Sequence, residues 1–404
     1  MSGSDVAVED KGVQVCFQEA LDKHQQGDLS GAEAGYRWLL EQVPEHVVAL
    51  YNLGLVCFEQ ERFSEAAESY AQAATLVPKD PDVWYNLGLA LKAQGSIAEA
   101  AVCYESAIEL APDDIDSHYN LGIVMHDLHR FVEAEACFGK VLSMHSDHAS
   151  ALNNLGVVYH HLGRKEEAIA CFQRVIELGH RPEAAAHILA ALTGTTTQAP
   201  PPEYVRTLFD DFSARFDQRL LEELEYKVPE ALRRMLDALP GVPENFANVI
   251  DLGCGTGLSG ITFLDVANRL TGVDLSPGMI EVAEEKELYD RLQAADIISF
   301  LAESDETYDL FVAADVLIYL GDLAGVFAAV KGKARPGSYF IFSTEGSEGE
   351  DFVLRPSGRY AHAISYIETL AAANGFAVVA CQTEGIRKER GQWINGDLFA
   401  LRLR

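Results

Sequence analysis

The chain has 404 residues, with 62 acidic side chains against 31 basic ones and a formal charge of −31. That length suits two or three domains with a buried core, and a hydrophobic content of 48% excludes a disordered chain. The negative charge disfavours phosphate backbones and anionic lipid headgroups, so neither nucleic acid nor a membrane is an expected partner.

The opening residues, Met1 to Gln14, are polar and acidic and lack the basic-then-apolar pattern of a signal peptide. No stretch approaches the ~18–20 apolar residues that span a bilayer. Seven cysteines, none in CxxC spacing, predict a reduced, cytoplasmic protein with no disulfide framework and no metal site.

The first half repeats with a period of 34. Asn-Leu-Gly recurs at Asn52-Leu53-Gly54, Asn86-Leu87-Gly88, Asn120-Leu121-Gly122 and Asn154-Leu155-Gly156. Ala66, Ala100, Ala134 and Ala168 follow in register, and then the aromatics Tyr70, Tyr104, Phe138 and Phe172. A degenerate first unit carries Ala20, Gly27, Ala32, Tyr36 and Pro44, which predicts five units at about 13–46, 47–80, 81–114, 115–148 and 149–182. Each reads as two short helices that cannot bury their own faces and therefore stack into a solenoid. This pattern resembles the tetratricopeptide repeat family. The Ala-rich segment Glu183–Leu192 reads as a closing cap helix, which sets the solenoid at 13–192.

Cys103, Cys137 and Cys171 share one repeat position and read as small packing residues. Asn52, Asn86, Asn120 and Asn154 form a column on one face. An amide offers donors and an acceptor, so the column is a candidate site for the backbone of an extended peptide. It resembles the concave surface of the repeats in O-linked N-acetylglucosamine transferases. The alternative is that each Asn bonds within its own repeat. Asp82 and Asp116, one turn earlier, would line such a groove with negative charge suited to a basic partner.

Thr193–Pro202 reads as a stiff Thr/Pro linker at 193–202. The following segment, 203–239, has helical spacing with Phe209, Phe212, Phe216 and Tyr226 and is expected to form a lid over the next domain. From Phe246 strands and helices alternate. Strands are predicted at Asn248–Asp251, Leu270–Asp274, Gln293–Asp296, Leu310–Ala314 and Tyr339–Ser343, in a mostly parallel sheet with helices on both faces. Val378–Thr383 and Leu398–Leu403 should close the sheet as an antiparallel pair.

The sharpest motif is Asp251-Leu252-Gly253-Cys254-Gly255-Thr256-Gly257. A strand ends in an acid and three alternating glycines, which allow a tight turn and close approach of a ligand to backbone. Two further strands end in acids, Asp274 and Asp296. Gly255-Thr256-Gly257-Leu258-Ser259-Gly260 also fits the nicotinamide fingerprint GxGxxG, a weak match by itself. The acid ahead of the glycines, the third strand-end acid and the closing antiparallel pair favour a different family.

The set resembles the class I S-adenosylmethionine-dependent methyltransferases over about 203–404. The expected architecture is thus a five-repeat all-helical solenoid followed by a Rossmann-like, seven-stranded methyltransferase domain. The resemblance implies that Asp251, Gly253, Gly255 and Gly257 hold the methionine part of S-adenosyl-L-methionine. It implies Asp274 for the ribose and Asp296 with Ile297 for the adenine. Leu275 and Met279 would add apolar contacts to the cofactor, and Asp315, which matches the fourth strand end, would complete the cofactor-binding set.

Asn-Pro-Pro-Tyr and Asp-Pro-Pro-Tyr are absent after strand four, and no Pro-Cys pair occurs, which disfavours amino-methylating and carbon-five DNA enzymes. On the acceptor side the candidates are Tyr319 as a hydroxyl contact, Arg359 for a carboxylate, Glu345 by position, and His362 as a general base. His362 is the only histidine after residue 200. The expected function is methyl transfer to a protein or peptide captured as an extended chain by the repeats. The alternative is a small-molecule methyltransferase whose repeats only dock a partner protein.

Overall fold

The computed structural model describes residues 3–210, 213, 216–218, 220–221, 224–389 and 391–404. The predicted lid residue Phe212 lies outside them. The chain divides into two compact units, Met1–His180 and Arg181–Arg404.

The first unit is five helical pairs: α1 (Gly3–Gln25) with α2 (Leu29–Gln42), α3 (Val47–Glu59) with α4 (Phe63–Leu76), α5 (Pro81–Ala93) with α6 (Ile97–Leu110), α7 (Ile115–Asp127) with α8 (Phe131–Met144), and α9 (Ala149–His161) with α10 (Lys165–Glu177). Asp80 and Asp114 cap α5 and α7 by accepting backbone N–H groups of the first turn, the usual role of an N-cap acid. The packing logic is direct. Tyr36, Tyr70, Tyr104, Phe138 and Phe172 are buried, and so are the alanines one turn before them. A Cβ placed on Gly88 would sit 2.8 Å from the Tyr104 ring, and one on Gly122 2.6 Å from Phe138. The repeated glycine is therefore the space the next helix's aromatic occupies. Cys103 and Cys171 are buried beside those rings and Cys137 partly so, and burial pushes each thiol up to about 11. They pack as inert thiols.

The second unit begins with α11 (Pro182–Thr193). Ala191 of α11 packs with Leu354 and Tyr360 of the second unit's sheet, and His187 hydrogen-bonds the Gly358 carbonyl at 3.2 Å. The helix expected to cap the repeats is thus part of the second unit's core. The Thr/Pro stretch is also anchored. Thr196 accepts from the Leu354 N–H, Thr197 pairs with the Tyr360 hydroxyl at 2.6 Å, and the Gln198 carbonyl accepts from the Asp322 N–H.

α12 (Pro202–Asp210), α13 (Phe216–Gln218) and α14 (Val228–Asp237) follow. The segment expected to be all lid divides. α12 has no buried residue, whereas α14 and Tyr226 belong to the hydrophobic core.

The sheet has nine strands among the described residues: β1 (Val249–Leu252), β2 (Leu270–Asp274), β3 (Arg291–Ala294), β4 (Tyr308–Ala313), β5 (Ala334–Gly346), β6 (Phe352–Leu354), β7 (Tyr360–His362), β8 (Phe376–Glu389) and β9 (Gln392–Leu403). Helices α15 (Leu258–Phe263), α16 (Pro277–Glu285), α17 (Ile297–Glu303), α18 (Ala324–Lys333) and α19 (Ile364–Ala373) complete it. The order β3-β2-β1-β4-β5 is parallel, and β9 continues it antiparallel with β8 outside. Those seven strands are the expected ones. The hairpin β6–β7 is additional: β5 runs past the end of β4, and β7 pairs with Glu345 and Gly346 on the flank that β4 has left.

Candidate functional site

The end of β1 builds the first half of the site. Gly253, Gly255 and Gly257 have φ of +72°, +53° and +98°, the left-handed region that only glycine enters freely. Their surroundings differ. A Cβ on Gly253 would strike Val316 at 2.3 Å, and one on Gly257 would press Tyr289 at 3.3 Å. Among the described residues, a Cβ on Gly255 would meet only the Phe216 ring, at 3.8 Å. Among the described residues Gly255 therefore faces open space under α13, a cradle that a side chain would fill.

Asp251 is buried. Its Oδ2 accepts from the Tyr289 hydroxyl at 2.8 Å, while Oδ1 is buried with no hydrogen-bond partner among the described residues. Burial pushes this carboxyl up to about 7, with the Tyr289 hydrogen bond opposing. Asp274 ends β2 as predicted, and its two oxygens accept from the Gly255 and Ser276 N–H groups at 2.9 Å each. Each oxygen keeps a second lone pair for a hydroxyl. Asp296 follows β3, is exposed, and caps α17 by accepting from the Ser299 N–H. An orphaned carboxylate oxygen, an open glycine cradle and a strand-end acid fit a ligand with an ammonium group and a ribose. Two of the predicted apolar contacts do not lie open to it: Met279 is fully buried and Ile297 belongs to the sheet core. Leu275 is half-buried at the rim.

Two lid carboxylates close on this half. Asp210 Oδ1 accepts from the Ser276 hydroxyl at 2.5 Å and from the Gly278 N–H at 3.2 Å, at the start of α16. Asp217 bonds the Thr256 hydroxyl and pairs with Lys286. Both lie in the 203–239 segment expected to form the lid.

The ends of β4 and β5 build the second half. Asp315, at φ +59°, leaves β4, with its N–H held by Ser343 Oγ at 2.8 Å. Both of its carboxylate oxygens lie 2.8 Å from Nη1 of Arg387, whose other terminal nitrogen pairs with Glu345. Glu345 also accepts from Arg359 Nε at 2.9 Å. Asp315 was expected on the cofactor; it is instead a half-buried ion-pair partner of the buried Arg387, and desolvation raises its carboxyl against the pull of Arg387. Arg359, expected to await a carboxylate, is already paired with Glu345. Arg387 was not foreseen, because it sits in the charged run Arg387-Lys388-Glu389-Arg390. A register shift between Gly385 and Arg387 in the β8–β9 pairing is the feature that turns it inward.

Tyr319 stands beside this group, edge-on to Phe209 of α12 at 5.0 Å. Burial raises its phenol, which keeps it a hydroxyl donor at neutral pH. His362 is displaced from its expected role. It lies within β7, fully buried, with Nε2 bonded to the Gly321 carbonyl at 3.0 Å, and burial lowers its basicity. A ring enclosed by the sheet and a loop carbonyl cannot collect a proton from an acceptor.

The asparagine column is bonded inside the array. Nδ2 of Asn86 donates to the Asp82 carbonyl and the Tyr51 hydroxyl, and that of Asn120 to the Asp116 carbonyl and the Tyr85 hydroxyl. Asn154 reaches Tyr119 Oη and Asn52 reaches the Val48 carbonyl. Both amide hydrogens of Asn86 and Asn120 are thus engaged, and Oδ1 of Asn120 in addition accepts from Lys92 Nζ at 3.5 Å. Among the described residues no group of three or more His, Cys, Asp or Glu is arranged to hold a metal ion, and no helix is long and apolar enough to cross a membrane.

Comparison with known proteins agrees with both halves. A family model described as a methyltransferase domain matches residues 250–342, and tetratricopeptide repeat models match 54–95, 90–128 and 113–179. The chain is 36% identical over 101 residues to the 18S rRNA (guanine-N(7))-methyltransferase RID2 of Arabidopsis thaliana, covering 24% of this chain and 32% of that protein. It is 36% identical over 122 residues to methyltransferase-like protein 27 of Homo sapiens, covering 29% and 45%. Among solved structures, YrrB, described as a TPR protein with an unusual peptide-binding site, aligns at 23% identity and a TM-score of 0.42, covering 46% of this chain and 97% of that one. The chain spans less than half the length of these two curated relatives. It joins tetratricopeptide repeats to a methyltransferase domain.

Proposed function

We propose that the protein is an S-adenosylmethionine-dependent methyltransferase that receives its acceptor between the lid and the Asp315–Arg387–Glu345–Arg359 group. The observation that carries this is the open cradle at Gly255 beside the orphaned Asp251 oxygen. When bound, the cofactor supplies a methyl group on a sulfonium centre, with a neutral leaving group. Asp251 accepts from the ammonium, Asp274 from the ribose hydroxyls, and Asp296 from the adenine amino group. Phe216 covers the glycine loop against water. Tyr319 donates a hydrogen bond to the acceptor, and the ion-paired acids and arginines fix its orientation.

The acceptor side is half-buried under aromatic rings and its charges are already paired, which favours a compact acceptor. A second reading, an extended peptide or protein acceptor held by the repeats, draws on the regular asparagine column and on Asp82 and Asp116. RNA, which the name of the Arabidopsis relative specifies, suits the acidity of this chain poorly.

Calorimetry with S-adenosylmethionine tests the cofactor. The intact protein binds it, and Gly255→Arg abolishes binding while the protein stays folded; binding that survives this change would sink the reading. Radiolabelled methyl transfer into a cell lysate, split into small-molecule and protein fractions, then separates the two acceptor classes.

A further inference from the structure

Asp251 is not a free carboxylate at the bottom of the cradle. Its Oδ2 is held by the Tyr289 hydroxyl at 2.8 Å, and only Oδ1 has no partner among the described residues. The Tyr289 ring owes its place to glycines on three sides. A Cβ on Gly260 would lie 2.5 Å from the Tyr289 hydroxyl, one on Gly272 2.9 Å from its ring, and one on Gly257 3.3 Å. Gly260 and Gly272 come from α15 and β2, so two elements besides the glycine loop make room for one phenol. Nothing else in the site requires glycine at Gly260.

We propose that Tyr289 is a positioning residue of the cofactor site: its hydroxyl fixes one oxygen of Asp251 and turns the other to the cofactor's ammonium. This rests on the cofactor reading given above. The same hydrogen bond sets the proton equilibrium of Asp251. Burial raises the carboxyl to about 7 and the Asp274 charge adds to this, while Tyr289 opposes them. The Cys254 thiol and the Tyr226 phenol, both pushed well up by burial, also face it and stay neutral. The ammonium needs the ionised carboxylate. Below pH 7 binding therefore releases a proton from Asp251, and affinity climbs with pH until the carboxyl is ionised.

Calorimetry with S-adenosylhomocysteine, which carries the same amino-acid part, tests this between pH 5.5 and 7.5. In wild type the affinity rises across the range, with release of close to one proton at pH 6. Tyr289→Phe keeps the ring but loses the donor, so the Asp251 carboxyl moves higher. Binding weakens about tenfold at pH 6, less as pH rises, and the limb is displaced upward by about one pH unit. Gly260→Ala displaces the hydroxyl without touching Asp251 and gives the same displacement, which keeps the test sound should Tyr289→Phe fold poorly. Asp251→Asn removes the pH dependence. A Tyr289→Phe or Gly260→Ala curve that superimposes on wild type overturns the role of Tyr289 and leaves the cofactor reading standing. A wild type that binds at no pH overturns both.

Discussion

At the scale of single residues, the buried arginine Arg387 is the least replaceable group in the acceptor half. It is 3% exposed and carries two carboxylates, Asp315 and Glu345. Removing one partner of a buried charge group strands the others, at a cost of about 3–5 kcal/mol. Arg387→Met should therefore lower the unfolding temperature clearly at pH 8. The loss should shrink at pH 5, because a stranded carboxyl has its folded pKa raised above the unfolded value, and the penalty appears as pH rises between the two. Thermal unfolding at both pH values checks the sign; an equal loss at both would show that charge is not the cause. The site's legible residues and its hidden ones differ in how they reach it. Asp251, Asp274 and the glycines sit at strand ends, where a local pattern announces them. Tyr289 and Arg387 arrive from the approach to β3 and from a bulged β8, and only tertiary packing brings them in. His362 misled for the complementary reason: a histidine alone in its half of the sequence looks functional until the sheet closes around it.

At the scale of elements, the repeats were readable because their spacing is itself the structure. α3, α5, α7 and α9 begin 34 residues apart, and the glycine, alanine and aromatic positions recur inside each unit. Gly88→Ala tests the reason. Helix propensity alone favours alanine by about 1 kcal/mol, yet its Cβ would meet the Tyr104 ring at 2.8 Å. The substitution should destabilise the repeat unit in urea unfolding; a stabilised protein would show that the ring yields freely. In the second unit the long strands were legible from apolar runs ending in acids, with boundaries shifted by a few residues. The β6–β7 hairpin was not, since strands of three residues carry no period to read. α11 was assigned to the wrong neighbour because an Ala-rich helix after a repeat has the composition of a cap. What decides its place is the fit of Ala191 and His187 against the hairpin, which composition does not encode.

At the scale of the whole molecule, the seam lies at His180/Arg181, ahead of the Pro-rich stretch that composition marks as a boundary. A fragment of residues 181–404 should fold and bind S-adenosylmethionine. One of residues 200–404 loses α11 and the anchors at Thr196, Thr197 and Gln198, uncovering Tyr360 and Leu354, and should melt at least several degrees lower. Equal melting temperatures would show that α11 adds nothing to the second unit. The long β8–β9 arm that delivers Arg387 also carries Trp393, 43% exposed, with the ammonium groups of Lys227 and Lys388 at 5.5 and 5.3 Å from its ring centre. The chain has three tryptophans, and Trp38 and Trp84 lie in the repeats. Trp393 is thus the lone indole of the second unit, seated on the element that brings Arg387 to the acceptor site. With the other two tryptophans replaced by phenylalanine, ultraviolet emission becomes an optical record of whether that arm is seated, readable without any substrate in hand.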